Sequence, residues 1–127
     1  MNKDTLQSLG LFWLRVIVGF SIASHGYGKV FGGHIAEFAK GVGAMGFPVP
    51  IVFAWAAALS ELLGGILIAF GLRIRYAAFF VFFTMSVAIF IHHAPDPFKV
   101  KELAVLYWAA AGALMLTGAG RYALDRS

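Results

Sequence analysis

Pro50–Leu72 reads PIVFAWAAALSELLGGILIAFGL, an apolar run whose single charge, Glu61, stands at its middle. At about 1.5 Å of rise per residue, such a run crosses a hydrocarbon core as one helix. A carboxylate at that depth is costly unless a partner neutralises it. Ala54, Ala57, Ala58, Glu61, Gly64 and Gly65 recur at helical spacing, so one face carries small residues and one acid. Small residues let helix backbones approach closely, which turns this face towards other helices and away from lipid. The expectation is an acid enclosed within a membrane helix bundle.

Composition agrees. Of 127 residues, 61% are hydrophobic and 13% charged, where soluble domains are nearer half and a quarter. Leu9–Phe31, Ile74–His93 and the shorter Leu103–Gly118 join Pro50–Leu72 as predicted spans. The predicted fold is all-α: an integral membrane four-helix transmembrane bundle forming a single domain over residues 1–127. There is no room for a soluble catalytic module. Between the first two spans, Ile35, Phe38, Ala39 and Val42 make an apolar stripe beside His34, Glu37 and Lys40. This predicts a short amphipathic helix lying in the membrane interface. Gly32-Gly33 breaks the chain before it, and Gly41–Pro50 is too rich in Gly and Pro to continue it.

The first span, capped by Asp4 or Thr5, reads as a retained helix. Arg15 interrupts its core, and no small-x-small cleavage site follows before His25. Gly19 and Gly26 give it a close-packing seam, while Ala109, Ala110, Ala113 and Thr117 give the fourth span a small face. Phe79, Phe80, Phe82, Phe83 and Phe90 surround much of the third, which suits lipid better than a site wall. The net charge of +4 marks topology here, and no nucleic-acid partner is implied. Lys3, Arg15, Arg73, Arg75, Arg121 and Arg126 fall to one side and Lys29, Lys40, Lys99 and Lys101 to the other. That bias predicts both termini in the cytoplasm.

The absence of cysteine excludes disulfides, CxxC thiol chemistry and thiolate metal sites. His25, His34, His92 and His93 lack the spacing of a metal site, and no nucleotide loop or nucleophile elbow occurs. Two constellations remain. Arg15, about six residues into the first span, is within a long side chain's reach of Glu61 at mid-depth, so an Arg15–Glu61 pair is predicted. At the opposite face His25, Lys29, His92, Glu102 and Tyr107 come from three spans and outline a pocket above Glu61. Such groups can bind a polar head group or pass protons to a quinone-like carbonyl. Each also has a plainer role: the pair as a clamp on helix register, Lys29 snorkelling to the interface, Tyr107 and Trp108 as interfacial anchors.

Motifs along the whole chain resemble one family. His25-Gly26-Tyr27-Gly28-Lys29 is similar to the HGxxK string that ends the first helix of the DoxX family. Gly46–Pro50 resembles its GxPxP segment, and Leu59–Gly65 its ExxGG segment. Glu102-Leu103, Tyr107 and Gly118–Asp125 look like its fourth helix and GxGRYSLD tail, with Ala123 in place of the serine. The resemblance implies a multi-pass protein of the bacterial inner membrane, in a family whose members often carry oxidoreductase names. Relatives so implied include a subunit of a thiosulfate:quinone oxidoreductase, a membrane component associated with superoxide dismutase and a sulfurtransferase, and membrane assembly factors. The expected function is a membrane subunit of quinone-linked or thiol/oxidative-stress metabolism, with quinone as the expected ligand and a soluble or membrane redox partner. A non-catalytic scaffold and a small-molecule or proton-coupled carrier are the alternatives. Membrane lipid surrounds the chain in each case, and glycine-lined faces permit a homodimer.

Overall fold

The structure is a computed structural model and describes residues 2–33, 35–92 and 95–125. These residues form α-helices and no strand: α1 (Lys3–Phe31), α2 (Ile35–Ala44), α3 (Pro50–Phe70), α4 (Ile74–Val87) and α5 (Phe98–Thr117). A π-helical turn, Ala88–His92, prolongs α4. Among the described residues, three helices are long and apolar enough to cross a membrane: α1, α3, and α4 with its extension to Ile91.

Local chemistry moves two predicted boundaries. Asn2, rather than Asp4 or Thr5, caps α1, its Oδ1 accepting from the Thr5 amide at 2.9 Å. The helix therefore begins at Lys3, a turn and a half before Leu9. At the other end of the chain, α5 starts at Phe98 instead of Leu103, because extended Pro97 permits helix immediately after it.

α1 and α3 run antiparallel in close contact. A Cβ added at Gly19 would lie 2.5 Å from the Ala69 nitrogen and 2.6 Å from the Gly65 oxygen. One added at Gly26 would lie 2.7 Å from Leu62 Cα and 2.9 Å from the Ala58 oxygen. The two seams thus fix the register, with Gly19 level with Gly65–Ala69 and Gly26 level with Ala58–Leu62. The small face read from the sequence is the buried one: Ala54, Ala58, Glu61, Gly64 and Gly65 are all enclosed. Ile68, Ile74, Val81 and Leu114 fill the main core between α3, α4 and α5.

Large apolar side chains point outward instead. Trp13, Tyr76, Phe83, Phe90 and Leu116 are more than half exposed. An interior of small residues inside an apolar exterior is how a protein solvated by lipid is built. In α5 the packed face is Ala111 and Leu114, while Ala109, Ala113 and Thr117 point outward. Of the predicted small face, Ala109, Ala113 and Thr117 are thus exposed and Ala110 is half-buried. The α2 stripe folds onto α3, where Ala39, Val42 and Ala54 form a second small core flanked by Phe38, Met45 and Phe47.

The turn between α3 and α4 is closed by Leu124 and Asp125, in the tail that follows α5. Gly71 ends α3 at φ +71°, and the amides of Gly71 and Leu72 return to Ile68 O and Leu67 O at 3.2 and 2.9 Å, a Schellman arrangement. The Leu124 and Asp125 amides then donate to Phe70 O and Gly71 O, both at 3.1 Å. Asp125 Oδ2 accepts from the Arg73 amide at 3.0 Å, holding Arg73 at φ +47°. Ala123 sits against Gly71. Gly71→Ala would meet both the Ala123 side chain and the Arg15 guanidinium, at a φ that a Cβ disfavours. It is expected to destabilise by about 2–3 kcal/mol and to expose the tail to carboxypeptidase, read as a lower melting point in detergent and faster C-terminal trimming. An unchanged melting point would contradict the docked tail.

Candidate functional site

The register that packs α1 on α3 also decides which cation meets Glu61. Lys29 lies one turn beyond Gly26 on α1, and Glu61 lies beside Leu62, the residue Gly26 touches. Lys29 Nζ donates to Glu61 Oε1 at 2.7 Å. Glu61 is 3% exposed, whereas 31% of the Lys29 side chain remains accessible. The same ammonium stands 4.6 Å from the centre of the Phe38 ring, within cation–π range. Glu61 Oε2 is buried and has no hydrogen-bond partner among the described residues.

The predicted Arg15–Glu61 pair does not form. Depth counted from presumed span ends put the two within reach, but the seams place Arg15 level with the C-terminal end of α3. Arg15 and Gly26 are separated by roughly 16 Å of helix, and Glu61 is at the Gly26 level. Arg15 is fully buried; its Nη1 donates to Ala69 O at 3.4 Å and its Nη2 to Tyr122 O. It thus ties α1 to the tail and to the last carbonyls of α3, the end of a helix dipole that favours a cation. Its ring neighbour is Phe12, at 5.6 Å. A hollow of about 430 Å³ opens beside it between Phe12, Phe20, Tyr122 and Leu124, but both terminal nitrogens of Arg15 are committed to carbonyls.

Glu61 and Lys29 instead bound a cavity of about 380 Å³ between α2, α3 and α4. Its walls are mainly apolar: Phe38, Met45, Phe47, Phe53, Phe83 and Val87, with Ser60 and Thr84 as the other polar members. Thr84 spends its hydroxyl proton on Phe80 O at 2.9 Å, so the ion pair is the strongest polar feature there. Ala88, the first residue of the π turn, also lines it. Such turns inside α-helices are frequent at functional sites. This size and this mixture of apolar wall and few polar groups suit a small-molecule site.

Of the predicted outer pocket, the structure assembles only part. Lys29 joins Glu61, while His25 is exposed and stands edge-to-face with Tyr107 at 5.7 Å. Tyr107 packs against the main core, and Glu102 is exposed; neither lines the Glu61 cavity. The His92 side chain, His34 and His93 lie outside the described residues. Among those residues no group of three or more His, Asp or Glu side chains is placed to hold a metal. Sequence reasoning missed the cavity's aromatic wall. Phe80 and Phe83, assigned to lipid, are partly outward but also line it, and the α2 stripe supplies Phe38 and Val42. The signal available was that stripe, which needed a partner surface.

Two relatives span nearly all of the chain. An uncharacterized protein of Haemophilus influenzae is 34% identical over 98% of this chain and 94% of its own length. A Bacillus subtilis protein named "Putative oxidoreductase CatD" is 34% identical over 98% of this chain and 90% of its own. No solved structure matches it significantly. The DoxX family model matches residues 10–94, which include α1 from Gly10 onward, α2 to α4 and both members of the Lys29–Glu61 pair. With three apolar helices of membrane-crossing length and an apolar exterior, the chain is a membrane protein of the DoxX family.

Proposed function

We propose that this protein is a membrane subunit that binds a quinone-type ring in the Glu61 cavity and serves a redox partner. In this arrangement α5 is the fourth span and α2 lies at the interface. The end bearing Arg15, Arg73 and Arg121 faces the cytoplasm of a bacterial inner membrane, as the excess of basic residues there favours. The cavity then opens towards the outer half of the bilayer. The observation that carries the proposal is the Lys29–Glu61 pair at the edge of an otherwise apolar, aromatic-walled space of ligand size.

The chemistry follows from the two groups. Reducing a quinone requires electrons, supplied by the redox centre of a partner protein, and protons at the ring oxygens. The Lys29 ammonium would stabilise negative charge developing on a ring oxygen. Glu61, ionised in its pair with Lys29, would take up at Oε2 the proton that a ring hydroxyl gives up and return it when the ring is reduced. The oxidoreductase name of the Bacillus relative is consistent with such a role.

The test is the quinone content of protein released from native membranes in lipid-polymer discs. We expect near-stoichiometric quinone with the natural chain. Glu61→Gln is expected to lose about tenfold or more, since it frees Lys29, the donor to the quinone oxygen, to leave the cavity for the interface. Quinone no more abundant than in bulk membrane would end the proposal. The outward small stripe Ala109, Ala113 and Thr117 favours a second role, as a docking face for a partner helix. That scaffold role predicts unchanged quinone but loss of the partner on Ala113→Leu.

A further inference from the structure

Resting on that ring-binding proposal, we infer that the cavity selects a neutral ligand whose head group donates a hydrogen bond: a hydroxylated aromatic ring, the reduced hydroquinone form over the quinone. The inference begins from Glu61 Oε2. This oxygen is buried, belongs to a residue 3% exposed and has no partner among the described residues. Its companion Oε1 already accepts from Lys29 at 2.7 Å. An ionised carboxylate only accepts, so the vacancy can be filled only by a donor.

Charge narrows the donor. Lys29 and Glu61 together are neutral, so an ammonium or guanidinium ligand would leave a net positive charge in an apolar cavity at a large desolvation cost. A hydroxyl leaves the balance untouched. It also matches both partners at once: with the carboxylate turned so that Oε2 meets the cavity that Glu61 borders, its hydrogen goes to Oε2 while its oxygen accepts from an unused Lys29 N–H. A quinone carbonyl has no hydrogen and satisfies only the lysine, leaving Oε2 desolvated and unpaired. Leaving a charged acceptor unsatisfied in this way is what makes a polar site reject the analogue that lacks the donor. The wall agrees with the rest of the ligand. Phe38, Phe47, Phe53 and Phe83 border the space, and Phe38 is already fixed under the Lys29 ammonium at 4.6 Å.

Protein in lipid discs can be titrated with decylhydroquinone, decylbenzoquinone and the dimethyl ether of the hydroquinone, following quenching of tryptophan fluorescence with competition to establish a shared site. The hydroquinone is expected to bind about tenfold or more tightly than the quinone. The dimethyl ether has the reduced ring but no donor, and is expected to bind no better than the quinone. That comparison needs no variant, so it stands even where Glu61→Gln fails to fold; where that variant folds, the preference should fall towards unity. Equal affinities, or a tighter quinone, overturn the donor preference while leaving the ring site in place. If none of the probes binds, the cavity itself is no ring site, and both this inference and the proposed function fail.

Discussion

Gly65→Leu is expected to prevent α1 and α3 from associating and to leave no folded, monodisperse protein in detergent. The reason is geometric. A Cβ at Gly65 would lie 2.6 Å from Gly19 O and against the Ala23 backbone, and none of those atoms can rotate away. The backbones would have to part by ångströms along the most extensive contact in the molecule. Even Gly19→Ala, meeting the Ala69 nitrogen at 2.5 Å, should cost at or above the ~3 kcal/mol end of overpacking penalties. Gly10 and Gly28 supply the control on the same helix, since an added Cβ at either meets nothing within 4 Å. Gly10→Ala and Gly28→Ala should remain within about 1 kcal/mol of the natural chain, on the stabilising side. Melting points of the three alanine variants in one detergent decide the matter. If Gly19→Ala melts like Gly10→Ala, the close α1–α3 contact is wrong.

Those seams also explain what the sequence could and could not reveal. The small face from Ala54 to Gly65 was legible because its spacing is local, and the Gly19–Gly26 seam was legible for the same reason. Each seam is seven residues long, and laying one antiparallel on the other puts Gly19 by Gly65 and Gly26 by Ala58, as found. That alignment sets Arg15 opposite Ala69, next to Gly71, and Lys29 roughly 9 Å along the helix from the level of Glu61, a span the two long side chains close. Counting depth from presumed span ends discarded the information, because α1 actually begins at Lys3 and the true ends do not match the hydrophobic ones. The Arg15–Glu61 pairing failed on that step alone.

The cavity was not legible by any such route. It exists because α2 folds back on α3, a placement set by Gly32-Gly33 and by the Gly46–Pro50 segment, where Val49 adopts φ +45°. Spacing shows that Phe38 and Val42 share a face, but not which surface that face will cover. The docked tail is similar. Arg15 reads as a misplaced charge until the last carbonyls of α3 and Tyr122 O are brought to it by contacts across the whole chain.

Lys29→Met should be the most damaging single change at the site, and Lys29→Met with Glu61→Gln should be less damaging than it. Removing one member of a buried pair leaves the other uncompensated, at a cost of about 3–5 kcal/mol. The two members are unequal here. Glu61, 3% exposed and in mid-helix, has nowhere to go when Lys29 is lost. Lys29, with 31% of its side chain accessible and near the end of α1, can swing to the interface when Glu61 becomes glutamine. The expected order of melting points in detergent is therefore natural chain, then Glu61→Gln, then the double variant, then Lys29→Met. A double-mutant cycle on unfolding by SDS should return a coupling of about 1–3 kcal/mol. If the two single effects simply add, Lys29 and Glu61 do not interact in the membrane, and the neutral pair on which hydroxyl selection depends is absent. If coupling is strong yet Glu61→Gln keeps its quinone, the pair is a clamp on helix register, and the aromatic wall alone holds the ligand.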